Sequence, residues 1–472
     1  MDVNYKLINM VIENVKNVEY GEISFLDNNE PLNMLGIYGQ NGSGKTTVIE
    51  CVNLLKNLVM GEKNIPLDLL STTQESRIST TFQIDRKRTI TYEIIIKKNP
   101  QDSFLLNMEK ASTEKNIKII SEKLTTKELS KNSRERELIK YEQDEKFEYL
   151  TPISYFPNTF TNSEILRIAS EQAHEENTSV IFSSPIQRLI NKSKNQKLDE
   201  VKECHRLIRD IFFNIFIYTN DISGMINAQL VIPFLFSYED QETVSIGTIG
   251  LPADRPSVIT KEMYQVFENI LAQINKVLPH IIPEISIQLK NYGMQVTDNG
   301  EEGNRVELVS SRGDKTFPFR CESDGIKKIV SILSALINTY NSSKTIVFID
   351  ELDSGIFEFL LGELLLVLSD GVNGQIIFTS HNLRPLEVLS DKKIVFTTTN
   401  KKNRYLRPKG IKTTNNLRDI YLRNVQLGIG EEYSLYSETN TSSIQKSFRK
   451  ASKKNVLINN ELGSLKEVKE YE

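Results

Sequence analysis

The chain has 472 residues, 39% of them hydrophobic and 25% charged, with a formal net charge of −4. That length leaves room for two or three ordinary domains with real cores, and the slight acidity excludes a uniformly basic protein that coats nucleic acid, though not a local basic patch. No run approaches the roughly 20 apolar residues that span a bilayer, no signal-peptide pattern opens the chain, and Cys51, Cys204 and Cys321 are too scattered for a disulfide framework or a zinc hook. A cytoplasmic protein with no membrane partner is the expectation.

In chain order, Tyr5–Glu13 and Glu22–Phe25 read as strands, and the apolar Met34–Tyr38 runs straight into a glycine-rich loop. Thr46–Met60 has helical spacing, with Val48, Val52, Leu55 and Val59 on one face. Strands are expected at Ser79–Ile84 and Thr89–Lys97, turning at Arg86-Lys87-Arg88. Glu109–Lys146 is polar and charge-rich, but lacks the sustained heptads of a coiled coil, so no rod-like arm is expected. The pattern is helical from about Asn162 to Tyr218, strand-like at Ala228–Phe236 and helical again over Ser257–Leu278. Ile285–Leu289, Gln295–Thr297 and Arg305–Val309 read as a small sheet. A helix with a buried face at Ile326, Ile329, Val330, Leu333, Leu336 and Ile337 precedes two apolar runs, Lys344–Ile349 and Gln375–Phe378. A strand at Ile394–Thr397 and helices at Asn415–Val425 and Thr441–Lys453 complete the reading.

The loop Gly39-Gln40-Asn41-Gly42-Ser43-Gly44-Lys45-Thr46 is a full GxxxxGK[ST] phosphate loop, set between a strand and a helix as its mechanism requires. Its backbone N–H groups and the helix dipole suit phosphate oxygens. Lys45 reaches the β- and γ-phosphates of ATP, the Thr46 hydroxyl ligates Mg²⁺, and Thr47 completes the nucleotide-binding set. The apolar run ending in Asp350-Glu351 pairs with such a loop as a Walker B strand. Asp350 would hold Mg²⁺ and Glu351 would polarise the attacking water, because phosphoryl transfer needs an oriented nucleophile and charge neutralisation. Ser323 sits where a helix N-cap belongs, and His381 follows a strand, where histidines are usually structural. The stretch Lys401–Lys412 holds Lys401, Lys402, Arg404, Arg407, Lys409 and Lys412. It is either a solvated face or a contact for a nucleic-acid backbone.

Together these residues resemble the SMC/RecF/OLD branch of ABC ATPases, and most closely the AAA-type, OLD-like ATPases of bacterial phage-defence operons (abortive-infection pairs and PARIS-type systems). Ser323-Asp324-Gly325 lies 27 residues before Asp350 and resembles the S-x-G signature; His381, 31 residues after it, resembles the switch histidine. Asp353 fits the D-loop, and no Q-loop glutamine is assignable, although Gln83 has a fitting strand context. The resemblance covers residues 34–60 and 317–390 well, and Phe396–Asn400 with Asn415–Asp419 also looks like these defence ATPases.

The resemblance implies an α/β fold: an ABC-ATPase head with a mixed sheet and flanking helices, a large, mainly helical insertion and no long coiled coil. The head halves would be 1–100 and 316–400, the insertion 101–315 a dimerisation or partner-binding region, and 401–472 a basic loop with a helical tail. It implies a homodimer or higher homo-oligomer that hydrolyses ATP with Mg²⁺, nucleotide lying between the loop of one copy and Ser323 and Gly325 of the other. Catalysis would rest on Lys45, Glu351 and His381. Some 90 residues follow His381, too few for a fused TOPRIM domain, so the effector would be a separate TOPRIM-like nuclease and the trigger DNA or a phage protein. A RecF/SMC-like DNA-repair ATPase is the alternative. A transporter subunit fits poorly, because the gap between loop and signature is too long.

Overall fold

The computed structural model describes residues 3–62, 67–71, 73–98, 117–130, 133–143, 148–152, 164–192, 195–219, 231–239, 244–297, 299–401, 404–408, 416–427 and 440–451. The chain divides into two units, Met1–Leu435 and Tyr436–Glu472. The larger opens with a hairpin, β1 (Tyr5–Val15) and β2 (Val18–Ser24), then the short pair β3 (Leu26–Asp27) and β4 (Glu30–Pro31), and then β5 (Met34–Tyr38). Every residue of β5 is buried, as a strand covered on both faces requires. Helix α1 (Lys45–Met60) starts from Gly44 at φ 98° and stops at Gly61 at φ 76°, left-handed positions that glycine adopts without Cβ strain. Val48, Val52, Leu55 and Val59 are all buried, as their spacing predicts.

β6 (Ser76–Ile84), β7 (Arg88–Lys98), β8 (Ile117–Glu128), β9 (Arg136–Gln143) and β10 (Glu148–Thr151) extend the first hairpin into a seven-stranded antiparallel sheet, ordered β10-β9-β8-β7-β6-β1-β2. β8 and β9 fall in the charge-rich stretch for which the sequence pattern predicts no strand. An antiparallel strand with one packed face needs an apolar residue only at every second position, and a register shift at Leu124/Thr125 breaks even that alternation. Residues 101–116 and 144–147 of the surrounding region lie outside the described residues. β8 also buries a carboxylate. Glu122 accepts from Tyr92 Oη at 2.7 Å, from the Ser179 hydroxyl and from the N–H groups of Val180 and Ile181 at 2.9 and 3.0 Å. Four donors compensate the desolvation that pushes its pKa up.

The expected helices of the insertion follow as α2 (Glu164–Glu176), α3 (Ser184–Lys192) and α4 (Asp199–Phe213). The apolar run to Tyr218 is divided, ending in strand β11 (Ile215–Tyr218), since a short apolar run alone does not separate helix from strand. Phe212 of α4 meets Phe82 and Tyr92 edge-on, with ring centroids 5.8 and 6.1 Å apart. His205 is buried, stacks on Phe182 at 4.4 Å and places Nε2 3.2 Å from Ile181 O. Burial pushes its pKa down to about 4. The folded value lies below the unfolded one, so this contribution to stability is complete above pH ~6.5 and is lost as pH falls towards 4, by about 3 kcal/mol. Denaturant melts across that window should show the loss in the native chain and a shallower one in His205→Gln; equal slopes would refute the assignment.

β12 (Ile232–Glu239) and β13 (Val244–Leu251) form a hairpin, then β14 (Ser257–Thr260) leads into α5 (Lys261–Ile281). The helix expected from Ser257 therefore starts later, where Thr260 caps it by accepting from the Met263 N–H at 3.3 Å. β15 (Ile285–Val296), β16 (Glu302–Arg312) and β17 (Lys315–Pro318) join β14 in a four-stranded sheet. Next come α6 (Asp324–Asn341), β18 (Ile346–Ile349), α7 (Glu358–Gly371), β19 (Gln375–Ser380), α8 (Arg384–Val388), β20 (Ile394–Thr397), β21 (Tyr405–Leu406) and α9 (Leu417–Leu427).

The central sheet is ordered β11-β18-β19-β5-β20-β21, parallel except for its last pair. One core joins α1 to both large sheets through Met10, Ile12 and Phe82 on one side and Leu35, Ile37 and Phe348 on the other. A second core packs the opposite face, through Val347, Ile349 and Phe378, on α5, α6 and α7. The fold is the expected mixed α/β arrangement with flanking helices, but the insertion over 101–315 is not mainly helical as expected. β8 to β16 lie in it beside α2 to α5, because strands that pack on one face or run for only a few residues leave little periodic signal. The longest helix among the described residues has 21 residues, and none there is long and apolar enough to cross a membrane. In the smaller unit, α10 (Thr441–Ala451) exposes all its side chains, Ile444 and Phe448 included.

Candidate nucleotide site

Parallel strands bring their carboxyl ends to one edge, where ligands of open α/β sheets sit. Here β5 ends in the phosphate loop, β18 in Asp350, β19 in His381 and β20 in Thr397. Residues from opposite ends of the chain thus share one edge because their strands are neighbours.

The loop is held by its carbonyls. Lys45 Nζ donates to Gly39 O at 2.8 Å and Gln40 O at 3.1 Å, Ser43 Oγ donates to Gln40 O at 2.6 Å, Tyr405 Oη donates to Gly44 O at 2.9 Å, and Asn17 Nδ2 donates to Gly42 O. Fixing the carbonyls from within the chain leaves the N–H side of the loop for a ligand. Gly39 has no room for a side chain, since a Cβ there would lie 1.9 Å from Thr397 Oγ1. Thr397 Oγ1 in turn shares a hydrogen bond with Ser43 Oγ and lies 3.2 Å from Tyr38 O. Asn41 and Gly42 are exposed at the tip, and Thr47 is buried under the first helical turn. Lys45 is buried; desolvation pulls its pKa down, and Asp350, Glu351 and Asp353 pull it back up.

Beneath the loop, Thr46 Oγ1 donates to Asp350 Oδ1 at 3.2 Å, and Thr379 Oγ1 donates to the same oxygen at 2.5 Å. Asp350 is buried, and desolvation raises its pKa against those two hydrogen bonds. Its Oδ2 is buried with no hydrogen-bond partner. A carboxylate with one oxygen unpaired next to a threonine hydroxyl is a donor set that suits a hard cation such as Mg²⁺. Glu351 has φ 47°, a left-handed conformation that costs a non-glycine residue about 1–3 kcal/mol. Its N–H donates to Thr379 Oγ1 at 2.8 Å, and its half-exposed carboxylate lies 4.0 Å from His381 Nε2. Asp353 accepts from the N–H of His381 at 3.2 Å and of Asn382 at 3.0 Å, so it fixes the turn that carries the histidine.

Ser323 caps α6 by accepting from the Ile326 N–H at 3.5 Å. Among the described residues no hydrogen bond joins Ser323 to the loop, the acids or His381. Gly325 packs on the Asp353 segment: a Cβ there would lie 1.9 Å from Gly355 O. The structure thus brings together Gly39 to Thr47, Asp350, Glu351, Asp353 and His381, and leaves Ser323 exposed at the mouth of α6. Gln83 lies on β6, with no hydrogen bond to the loop among the described residues.

Sequence reasoning passes over Thr379, Thr397, Tyr405 and Lys328, because nothing in local spacing marks a strand-end threonine or a buried helical lysine. It also misplaces part of the basic stretch. Arg404 is 5% exposed, donating to Thr398 O at 2.8 Å and to Asn17 O, and Arg407 donates to Ser24 O at 2.6 Å and to Lys392 O. Lys401 pairs with Glu19 at 2.6 Å. These three are engaged with the strands around the loop; Lys402, Lys409 and Lys412 lie outside the described residues. Arg404→Met should therefore cost about 2–3 kcal/mol of stability by stranding buried carbonyls. Chemical denaturation measures it, and an unchanged midpoint would restore the surface-patch reading.

A family profile described as "AAA domain, putative AbiEii toxin, Type IV TA system" matches residues 34–387. No curated protein sequence matches the chain. Among solved structures, an SMC head domain from Thermotoga maritima is 12% identical with a TM-score of 0.35, covering 86% of this chain and 100% of its own. An Smc head with a coiled coil and joint from Pyrococcus yayanosii is 10% identical with a TM-score of 0.38, covering 89% and 99%. The Smc head with an extended coiled coil bound to the C-terminal domain of ScpA, from Pyrococcus furiosus, is 12% identical with a TM-score of 0.35, covering 85% and 96%. The profile runs from the first residue of β5 into α8 and so takes in Gly39 to Thr47, Ser323, Gly325, Asp350, Glu351, Asp353 and His381, spanning three quarters of the chain. On that match the chain belongs to the AAA-domain family described with the AbiEii toxin of type IV toxin–antitoxin systems.

Proposed function

We propose that the chain binds ATP with Mg²⁺ at the carboxyl edge of its parallel sheet and hydrolyses it. The observation that carries this reading is the unpaired, buried Asp350 Oδ2 beside Thr46, directly under a complete phosphate loop. Thr46 and Asp350 would hold the cation, which when bound supplies charge neutralisation at the phosphates. Gly39 to Thr47 cradle the phosphates, and Lys45 leaves its loop carbonyls for the phosphate oxygens. Glu351 orients the attacking water and accepts its proton, while His381 donates to the γ-phosphate. Mg²⁺-dependent binding of ATP and release of phosphate test the reading directly. A chain that neither binds nor hydrolyses ATP overturns it.

Two copies would sandwich the nucleotide, with Ser323 and Gly325 of one facing the γ-phosphate held by the other; the exposure of Ser323 supports this. The range 101–315 would supply a dimerisation or partner-binding surface. The chain then acts as the sensor and scaffold subunit of a two-component antiviral system and controls a separate nuclease or toxin. Support comes from the toxin named in the family description. Co-expression with the neighbouring gene product, pull-down and mass measurement with ATP test this, and the absence of any complex counts against it. The DNA-repair alternative draws no support from Arg404 and Arg407, which donate to backbone carbonyls, whereas Lys401 remains at the surface in its pair with Glu19.

A further inference from the structure

We propose that Lys328 is a positioning residue that holds the backbone of Glu351 and ties it to the helix beginning at Ser323. This rests on the ATPase reading above. Lys328 lies in the second turn of α6, five residues after Ser323, yet it is only 6% exposed. A lysine that deeply buried needs a partner. Its Nζ donates to the carbonyl oxygen of Glu351. Burial lowers its pKa, and Asp353, Glu351 and Asp350 raise it again.

Glu351 needs such a holder. Its φ of 47° is left-handed, and a non-glycine residue stays there only when its surroundings over-determine it. Three contacts do so: Thr379 Oγ1 accepts its N–H at 2.8 Å, while its carbonyl accepts from Lys328 and, at 2.9 Å, from the Ser354 N–H. The result turns the carboxylate outward towards His381, whereas Asp350 next to it stays buried. The close packing of Gly325 on Gly355 adds a second joint between the same helix and the same segment. A ligand that engages Ser323 therefore acts on a helix rigidly joined to the Glu351 backbone of its own chain. Through Lys328, occupancy at the mouth of α6 is coupled to the aim of the hydrolytic carboxylate.

The test uses Lys328→Met in the full chain, which keeps most of the side-chain stem and removes the donor. Affinity for a fluorescent ATP analogue and KM should stay within threefold of the native values, while kcat falls about 100-fold, the cost of a misaimed reacting group. The double variant Lys328→Met/Glu351→Gln should be no slower than Glu351→Gln alone, since both act on one carboxylate. Lys328→Arg keeps a donor and should stay within tenfold of the native rate, and it serves if the methionine variant does not fold. Native kcat in Lys328→Met, or losses that multiply in the double variant, overturn the positioning role. So does an Arg variant that folds but loses 100-fold. A native chain with no ATP binding or hydrolysis overturns the ATPase reading itself, which separates the two failures.

Discussion

Lys45→Ala should raise the dissociation constant for ATP by about 10²–10⁴-fold while leaving the fold intact. In the free protein Lys45 donates only to Gly39 O and Gln40 O, and no ion pair holds it among the described residues. Moving to phosphate replaces two neutral acceptors with charged ones, and charge-assisted hydrogen bonds contribute about 1.5–3 kcal/mol each. Two of them account for the expected loss. Removing the buried cation relieves its desolvation, which offsets the donor lost to Gly39 O and Gln40 O, so the unliganded melting temperature should fall only modestly. Thermal melts read both effects. The native chain should gain about 2.7 kcal/mol at ATP concentrations 100 times its dissociation constant, and the variant at most about 0.4 kcal/mol there. Equal stabilisation of both would remove Lys45 from the site.

The second large effect is expected from Glu351→Gln. Glutamine keeps the shape and the left-handed backbone with its three holders, but it cannot take a proton from water. Turnover should fall about 10²–10⁴-fold, the usual contribution of a positioned base. ATP binding should persist, because the phosphate loop and the Thr46–Asp350 pair are untouched. If the nucleotide is sandwiched between two copies, the variant accumulates an ATP-bound dimer that the native chain forms only transiently. Gel filtration with mass detection reads this. A monomer mass for Glu351→Gln at saturating ATP would exclude the sandwich, and a native turnover rate would exclude Glu351 as the base.

The legible parts of this chain are those where local chemistry is specific. The phosphate loop needs glycines at set positions, and Gly39, Gly42 and Gly44 bear this out: the first has no space for a Cβ, and the others have φ of 76° and 98°. The strands before it and before Asp350 are apolar throughout, as strands covered on both faces must be. Where a surface is half solvated, the signal fades. β8 and β9 read only as a polar, charge-rich stretch because one face alone packs, and β11 reads as the end of a helix because four apolar residues carry no usable period. The basic stretch shows the same limit. Charge in sequence says nothing about burial, and Arg404 is consumed by backbone carbonyls beside the loop.

The sequence by itself determined that a phosphate loop, an acid pair and a strand-end histidine exist and that several hundred residues separate the first from the rest, since each motif is a short-range pattern of residue types. Only the tertiary structure decided that they meet. Parallel pairing of β18, β19, β5 and β20 brings four carboxyl ends to one edge, and no local pattern encodes which strands become neighbours. It likewise decided which groups support the motif residues: Thr379 between the two acids, Thr397 against Gly39, Lys328 under Glu351. Those supports are long-range contacts, set by how α6 and the sheet pack, and packing is a property of the folded chain as a whole.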